Sequence, residues 1–341
     1  MLETNKNIYF VRIFESLKVI NMKNKALILF TFVFFLAGFA DVKGQFFSRR
    51  KHYSSIGGGL CGMNYFGDIV PKNRFGSFDI GFTRPQLSFT YSRKFHPRFA
   101  VKGTFSWGRL QGDDFSSADP SDDESGVFRY ARNLHFRNDI KELTVVGIVD
   151  LFENRGTFLK RPQLIPYAFL GIGLFHHNPK ARTPQSEGNE WVALKPLNTE
   201  DRSYSLIQPV VPLGLGLRYR LNRNFDVAFE IGYRYTFTDY LDDVSGNYKA
   251  FENFDDPLAA MMSNRTGEAV SALDGSAREP VYNTLYGGTE SVTVGDKTFP
   301  VARGVKEGET RGNSADNDIY IVYGFHVTYI LYKGMRSPKF R

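Results

Sequence analysis

Thirteen consecutive residues, 225–237, separate into two rows by simple alternation. Phe225, Val227, Phe229, Ile231, Tyr233, Tyr235 and Phe237 form one row, wholly apolar or aromatic. Asp226, Ala228, Glu230, Gly232, Arg234 and Thr236 form the other, small or charged. A period of two is the signature of a β-strand, in which successive side chains point to opposite faces. Strands of soluble proteins usually run about 5–6 residues. A strand of this length fits better across a bilayer, where about 9–11 tilted residues span the hydrocarbon.

The pattern recurs along the chain. Leu87, Phe89, Tyr91 and Phe95 alternate with Ser88, Thr90, Ser92 and Lys94, Arg93 being the exception. Phe99, Val101, Phe105 and Trp107 alternate with Ala100, Lys102, Thr104 and Ser106, and Gly103 interrupts the apolar row. The segments 204–221 and 316–333 read the same way, while 55–67, 133–152 and 164–178 are strands with less clean faces. With 85–96, 98–111 and 224–240, the expectation is an all-β fold. It is an eight-stranded antiparallel transmembrane barrel of the outer-membrane type, with an even strand number and long loops at one end. A soluble sandwich, which buries one face and wets the other, is the rival. Phe95, Phe99, Phe152, Tyr219, Phe225 and Tyr332 gather at one set of strand ends. That placement favours an interfacial girdle and hence the barrel.

The N-terminal region supplies a route to such a membrane. Residues 26–40 (ALILFTFVFFLAGFA) follow Met22 and Lys23, a basic start and an apolar core too short to span a bilayer. Residues 22–44 read as a signal peptide cleaved before Gln45, and residues 1–21 as an upstream extension or a long n-region. The mature barrel domain is then 45–341. No second apolar run of helical membrane length follows. Cys61 is the single cysteine, which excludes an intramolecular disulfide and paired-cysteine zinc motifs. The net charge of +7 would suit a nucleic-acid partner, but an exported chain does not meet one.

Connections alternate short and long, as periplasmic turns and outer loops do. Residues 96–98, 153–163 and 222–224 are the shorter set; 68–82, 112–132, 179–203 and above all 241–315 are the longer. Both termini are then expected in the periplasm. Loop 112–132 has six acids and two bases, and loop 241–315 twelve and seven. The segments flanking the barrel carry Arg49, Arg50, Lys51, Lys333, Arg336, Lys339 and Arg341. This basic periplasmic rim is a candidate surface for docking an acidic partner.

On the row opposite the lipid, Lys102, Glu142, Asp150, Arg218, Glu230 and Arg234 are expected to meet as a lumenal charge network. An eight-stranded barrel has room for side chains and little else, so opposite charges should pair and plug it. Other chemical candidates are weaker. His176 and His177 are adjacent on a strand, so their side chains diverge and cannot easily share an ion. Asp113-Asp114 and Asp242-Asp243 read as solvated loop charge. The acidic run 119–124 lacks the spacing and central glycine of a calcium loop. No nucleophile-elbow motif is present. No catalytic residue, metal site or cofactor is therefore expected.

Five stretches together carry a resemblance. They are 64–68 (NYFGD), 132–140 (RNLHFRNDI), 166–175 (PYAFLGIGLF) continued by 178–181 (NPKA), 238–246 (TDYLDDVSG), and 311–313 (RGN) with Asn317, Asp318 and Tyr320. In this order the chain resembles the PorG-type outer-membrane barrels of the type IX secretion system of Bacteroidetes, over roughly residues 55–333. The resemblance implies a non-enzymatic component of the secretion machine, and of gliding motility in some species. It also implies association with periplasmic ring subunits, a lipoprotein and its partner. The other readings are a generic barrel acting as adhesin or envelope stabiliser, and a barrel enzyme acting on lipid or peptide.

Overall fold

A computed structural model describes residues 52–69, 80–121 and 126–331. The segment expected as a signal peptide, the seven cations expected as a rim, and Tyr332 lie outside the described residues. Eight long strands build the molecule: β1 (Tyr53–Phe66), β2 (Arg84–Lys94), β3 (Phe99–Asp113), β4 (His135–Asp150), β5 (Leu164–His176), β8 (Ile207–Arg220), β9 (Phe225–Thr236) and β12 (Ile319–Leu331). Every neighbour is antiparallel. The sheet closes on itself because β3 pairs with β4 over its whole length, from Phe99↔Val149 to Asp113↔His135. The fold is a closed eight-stranded barrel, as the alternation required.

Residues 179–203, expected as a loop, carry two further strands. β6 (Pro179–Arg182) continues the ladder on β4 beyond the point where β5 stops, and β7 (Trp191–Ala193) pairs with β6. In the long connection after β9, helix α3 (Pro257–Ser263), helix α4 (Val281–Tyr286) and the hairpin β10 (Thr289–Val294) with β11 (Lys297–Ala302) form an ordered cap. Helices α1 (Asp114–Ser117) and α2 (Gly126–Arg132) lie between β3 and β4.

The turns at the opposite end are tight. Asn222 Oδ1 accepts the backbone N–H of Asn224 and Phe225 at 2.9 Å each. The Arg161 guanidinium donates to the carbonyls of Asn222 and Arg223, both at 2.9 Å, and to Asp226. One side chain thus ties the β4–β5 connection to the β8–β9 turn.

The exterior is apolar on all eight strands. Leu60 is 69% exposed, Phe325 61% and Leu174 56%, while their chain neighbours Cys61, His326 and Phe175 are buried. Phe229 packs against Phe325 of β12 with tilted rings, their centroids 5.1 Å apart. So large a contiguous apolar surface is unstable in water and marks contact with lipid. A ring of strands also leaves no unpaired backbone edge in the hydrocarbon.

Glu230 points into the lumen between the outward Phe229 and Ile231. Replacing Phe229 by Arg should therefore cost roughly 2–4 kcal/mol of folding stability in bilayers. Phe229→Leu should fold normally. The unboiled-against-boiled gel shift of refolded protein checks this, and native-like folding of F229R would place Phe229 off the lipid face.

Candidate functional site: a sealed lumen beneath a latched cap

The lumen is filled in layers. Nearest the short turns, Asp150 pairs with Lys94 and accepts from Arg218 at 3.2 Å. Arg161 meets Asp226 at 2.7 Å. In the middle, Lys102 Nζ lies 2.5 Å from Glu230, which also accepts the Tyr167 hydroxyl and faces His326. Higher, Arg234 meets Glu142 at 3.1 Å, and the Tyr320 hydroxyl donates to the same carboxylate at 2.5 Å. The structure thus brings the six lumenal charges together as three ion pairs, Lys102–Glu230, Arg234–Glu142 and Arg218–Asp150. Lys94, Arg161, Asp226, Tyr167, Tyr320 and His326 complete the set.

Glycine makes room for these groups. A Cβ at Gly216 would lie 2.2 Å from the Tyr167 ring, and one at Gly59 2.3 Å from the His326 imidazole. The space left is small. Lumenal cavities of about 20 and 40 Å³ border the Lys102–Glu230–His326 layer. Each has room for one water or a few.

Above the charges, an apolar plug of Met63, Leu110, Phe136, Ile140, Phe175 and Val210 fills the long-loop end of the barrel. On it sits a buried polar latch. The Tyr65 hydroxyl lies 2.7 Å from Asp242 Oδ2 and 2.6 Å from Asp318 Oδ1. Asp242 accepts the N–H groups of Ile69 and Val244, and Asp318 that of Leu241. A tyrosine has one hydroxyl proton and cannot donate to two carboxylates at once. One carboxyl must therefore be protonated and donate back to the tyrosine. Burial raises both carboxyls well above the ordinary range, and the charges of neighbouring carboxylates push the same way.

Arginines lock the periphery. Arg132 grips Asp114 with two bonds of 2.8 Å and donates to the carbonyls of Asp68 and Arg311. Arg311 in turn reaches Glu200 at 2.6 Å and the carbonyls of Asp243 and Ser263. Asp243 accepts from Thr199 and Tyr204, and burial still pushes its carboxyl up to about 6.

These contacts correct one sequence expectation. Asp113, Asp114, Asp242 and Asp243 are not solvated; none is more than 2% exposed. Asp114 is paired with Arg132, and the others are held by backbone N–H groups and hydroxyls, with partners from the next turn to 177 residues away. Burial lowers His177 to about 4, leaving it neutral with Nε2 3.0 Å from the Ser205 carbonyl, while His176 faces outward. The acidic run 119–124 lies partly outside the described residues. Among the described residues no group of three or more His, Cys, Asp or Glu is placed to hold a metal ion. Glu200, Thr199 and Tyr204 brace the latch without any signal in the local sequence.

The chain belongs to the family described as a domain of unknown function (DUF6089). That family matches residues 28–258. No curated protein matches the chain. Among solved structures, it is similar to Ail, the attachment invasion locus protein of Yersinia pestis, solved with the heparin analogue sucrose octasulfate. Identity there is 10% and the TM-score 0.34, over 82% of this chain and 99% of that one. OprG of Pseudomonas aeruginosa gives 10% and 0.36, over 84% and 100%. Neisserial surface protein A gives 8% and 0.33, over 82% and 96%. The assignment of the fold rests on the strand register above rather than on these likenesses.

Two predictions concern the latch. Arg132→Ala leaves Asp114 buried without its cation and should destabilise the cap by about 3–5 kcal/mol. Limited trypsin digestion should then cleave within 241–315 while the heat-dependent gel shift persists. Resistance equal to the parent would remove Arg132 from the latch. The second concerns pH. The folded Asp242–Asp318 pair keeps a proton that the open cap releases above the ordinary carboxyl range. The pair's contribution is thus fully present at low pH and declines as pH rises toward its raised pKa. Hydrogen exchange of cap amides, corrected for intrinsic rate, should show protection falling as pH rises above the ordinary carboxyl range of about 4. Asp318→Asn, neutral throughout, should flatten that fall. An unchanged slope would contradict the shared proton.

Proposed function

We propose that this chain is a non-conducting, non-enzymatic outer-membrane barrel of a protein secretion machine of the type IX kind. In this reading both termini face the periplasm, where ring subunits, a lipoprotein and its partner, dock against the barrel. One observation carries the proposal. Four of the five stretches on which the sequence resemblance rests come together at the latch: Tyr65 and Asp68, Arg132 and Asn138, Leu241 to Asp243, and Arg311 with Asp318. The fifth enters through Asn178, whose N–H donates to Asn138 at 2.8 Å. The residues that mark the resemblance are thus those that fix the cap on a filled barrel. A filled lumen suits a scaffold better than a conduit. An attachment role is the second reading, favoured by the ordered cap, which offers a fixed surface for recognition.

The basic rim separates the two. Arg49, Arg50, Lys51, Lys333, Arg336, Lys339 and Arg341 lie outside the described residues and are available from sequence alone. Single exposed ion pairs contribute about 0–1 kcal/mol, but seven cations together steer docking in a salt-dependent way. With all seven changed to Gln, barrel levels in the outer membrane should be normal. Co-purification with periplasmic secretion subunits should fall, and cargo should accumulate in the periplasm. Correct assembly with unchanged co-purification and secretion would sink the rim as a docking surface. Absence of any secretion subunit from the parent's own purification would sink the secretion reading.

A further inference from the structure

The outer surface of β3, β4 and β6 changes character abruptly at the long-loop end. Trp107 on β3 and Leu143 on β4 are the last exposed apolar residues there; Arg109 and Lys141 come next. Arg137, Lys180 and Arg182 follow on β4 and β6, with Arg137 directly opposite Lys180. Five cations therefore stand together just beyond the hydrocarbon belt. Asp139 is their one carboxylate in the strands, and Arg109 occupies it through two bonds of 2.6 and 3.1 Å. Glu187, in the β6–β7 turn, is held by Lys297 of the cap.

Two of these cations are built in rather than loose. The Arg137 guanidinium stacks 3.9 Å from the Trp191 ring centroid, and Arg182 lies 5.3 Å from the same ring. His135 packs edge-on against that indole. The Nε of both arginines is buried and has no hydrogen-bond partner. Elsewhere the buried guanidiniums of Arg132, Arg161, Arg234 and Arg311 each hold a carboxylate. Arg137 and Arg182 are half-buried and hold none among the described residues, and a buried Nε without an acceptor is unfavourable. Planar guanidiniums fixed on an aromatic face match the bidentate geometry of a phosphate. Directly above lipid chains, the phosphate at hand is that of a lipid headgroup.

We propose that this face of β4 and β6 binds the anionic phosphate headgroup of a membrane lipid in the leaflet at the long-loop end. Arg137 and Arg182 grip the phosphate, Lys141 and Lys180 supply charge from either side, and Trp107 lies against the lipid chains. The site is independent of the secretion reading and of which leaflet faces out.

The test places the full-length protein in phosphatidylcholine nanodiscs containing either phosphatidic acid or diacylglycerol with the same acyl chains. Lipid retained by the protein after detergent extraction is then quantified by mass spectrometry. Phosphatidic acid should be retained and diacylglycerol lost. Retention should drop roughly tenfold when Arg137, Lys141, Lys180 and Arg182 are all changed to Gln. Should that variant fail to show the folded gel shift, Lys141→Gln with Lys180→Gln alone should still lower retention severalfold. Equal retention of the two lipids, or no loss in a folded variant, overturns the proposal. Displacement of the lipid by inorganic phosphate alone would also overturn it, since the site would then serve a free anion. Secretion and subunit co-purification report on the function above and do not enter this readout.

Discussion

Every feature of this chain depends on the requirement that backbone N–H and C=O groups in hydrocarbon find partners within the protein. The β3–β4 ladder meets it by closing the sheet, from Phe99↔Val149 to Asp113↔His135. Once eight strands close, the circumference is set and the interior is narrow. Side chains on one row must be apolar for the lipid, and those on the other must fill a space that admits little water. The charges of that inner row are then confined, and only mutual pairing keeps them from being a severe cost.

Two levels of filling result. In the membrane-spanning part, Lys94, Lys102, Arg218 and Arg234 are matched to Asp150, Glu230 and Glu142. Toward the loops, apolar side chains replace charges, and Tyr65, Asp242 and Asp318 join β1 to both ends of the long connection above them. The long connection between β9 and β12 is therefore part of the fold rather than an appendage. Its arginines donate largely to backbone carbonyls, as Arg278 does to Tyr130, Ala131, Thr266 and Glu268. Such contacts hold loop backbone that has no ladder of its own.

The sequence made the barrel legible where lipid and lumen demand opposite chemistry. β9 and β12 alternate cleanly for this reason. β5 does not, because Tyr167, Phe169 and Phe175 point their rings inward while Leu170, Ile172 and Leu174 face outward. Both rows are then apolar and the period fades. β1 blurs differently: Gly57 and Gly59 face the lumen so that Thr328 and His326 can fit. The latch was beyond reach. Its carboxylates gain their meaning from Tyr65, Arg132 and Arg311, far off in sequence, and a carboxyl pair in a polar loop has the composition of a solvated one. The unpaired arginines on β4 and β6 were hidden for the same reason, since the β6–β7 hairpin that brings Trp191 to them has only three or four residues per strand.

The account turns on a barrel that is filled from end to end. Planar-bilayer recording from pure, folded protein tests this directly, since any continuous water path through the lumen would carry ions. The layered ion pairs, the apolar plug and the small cavities predict a silent bilayer with no stable conductance step. Sustained ohmic conductance that scales with the amount of folded barrel would contradict it.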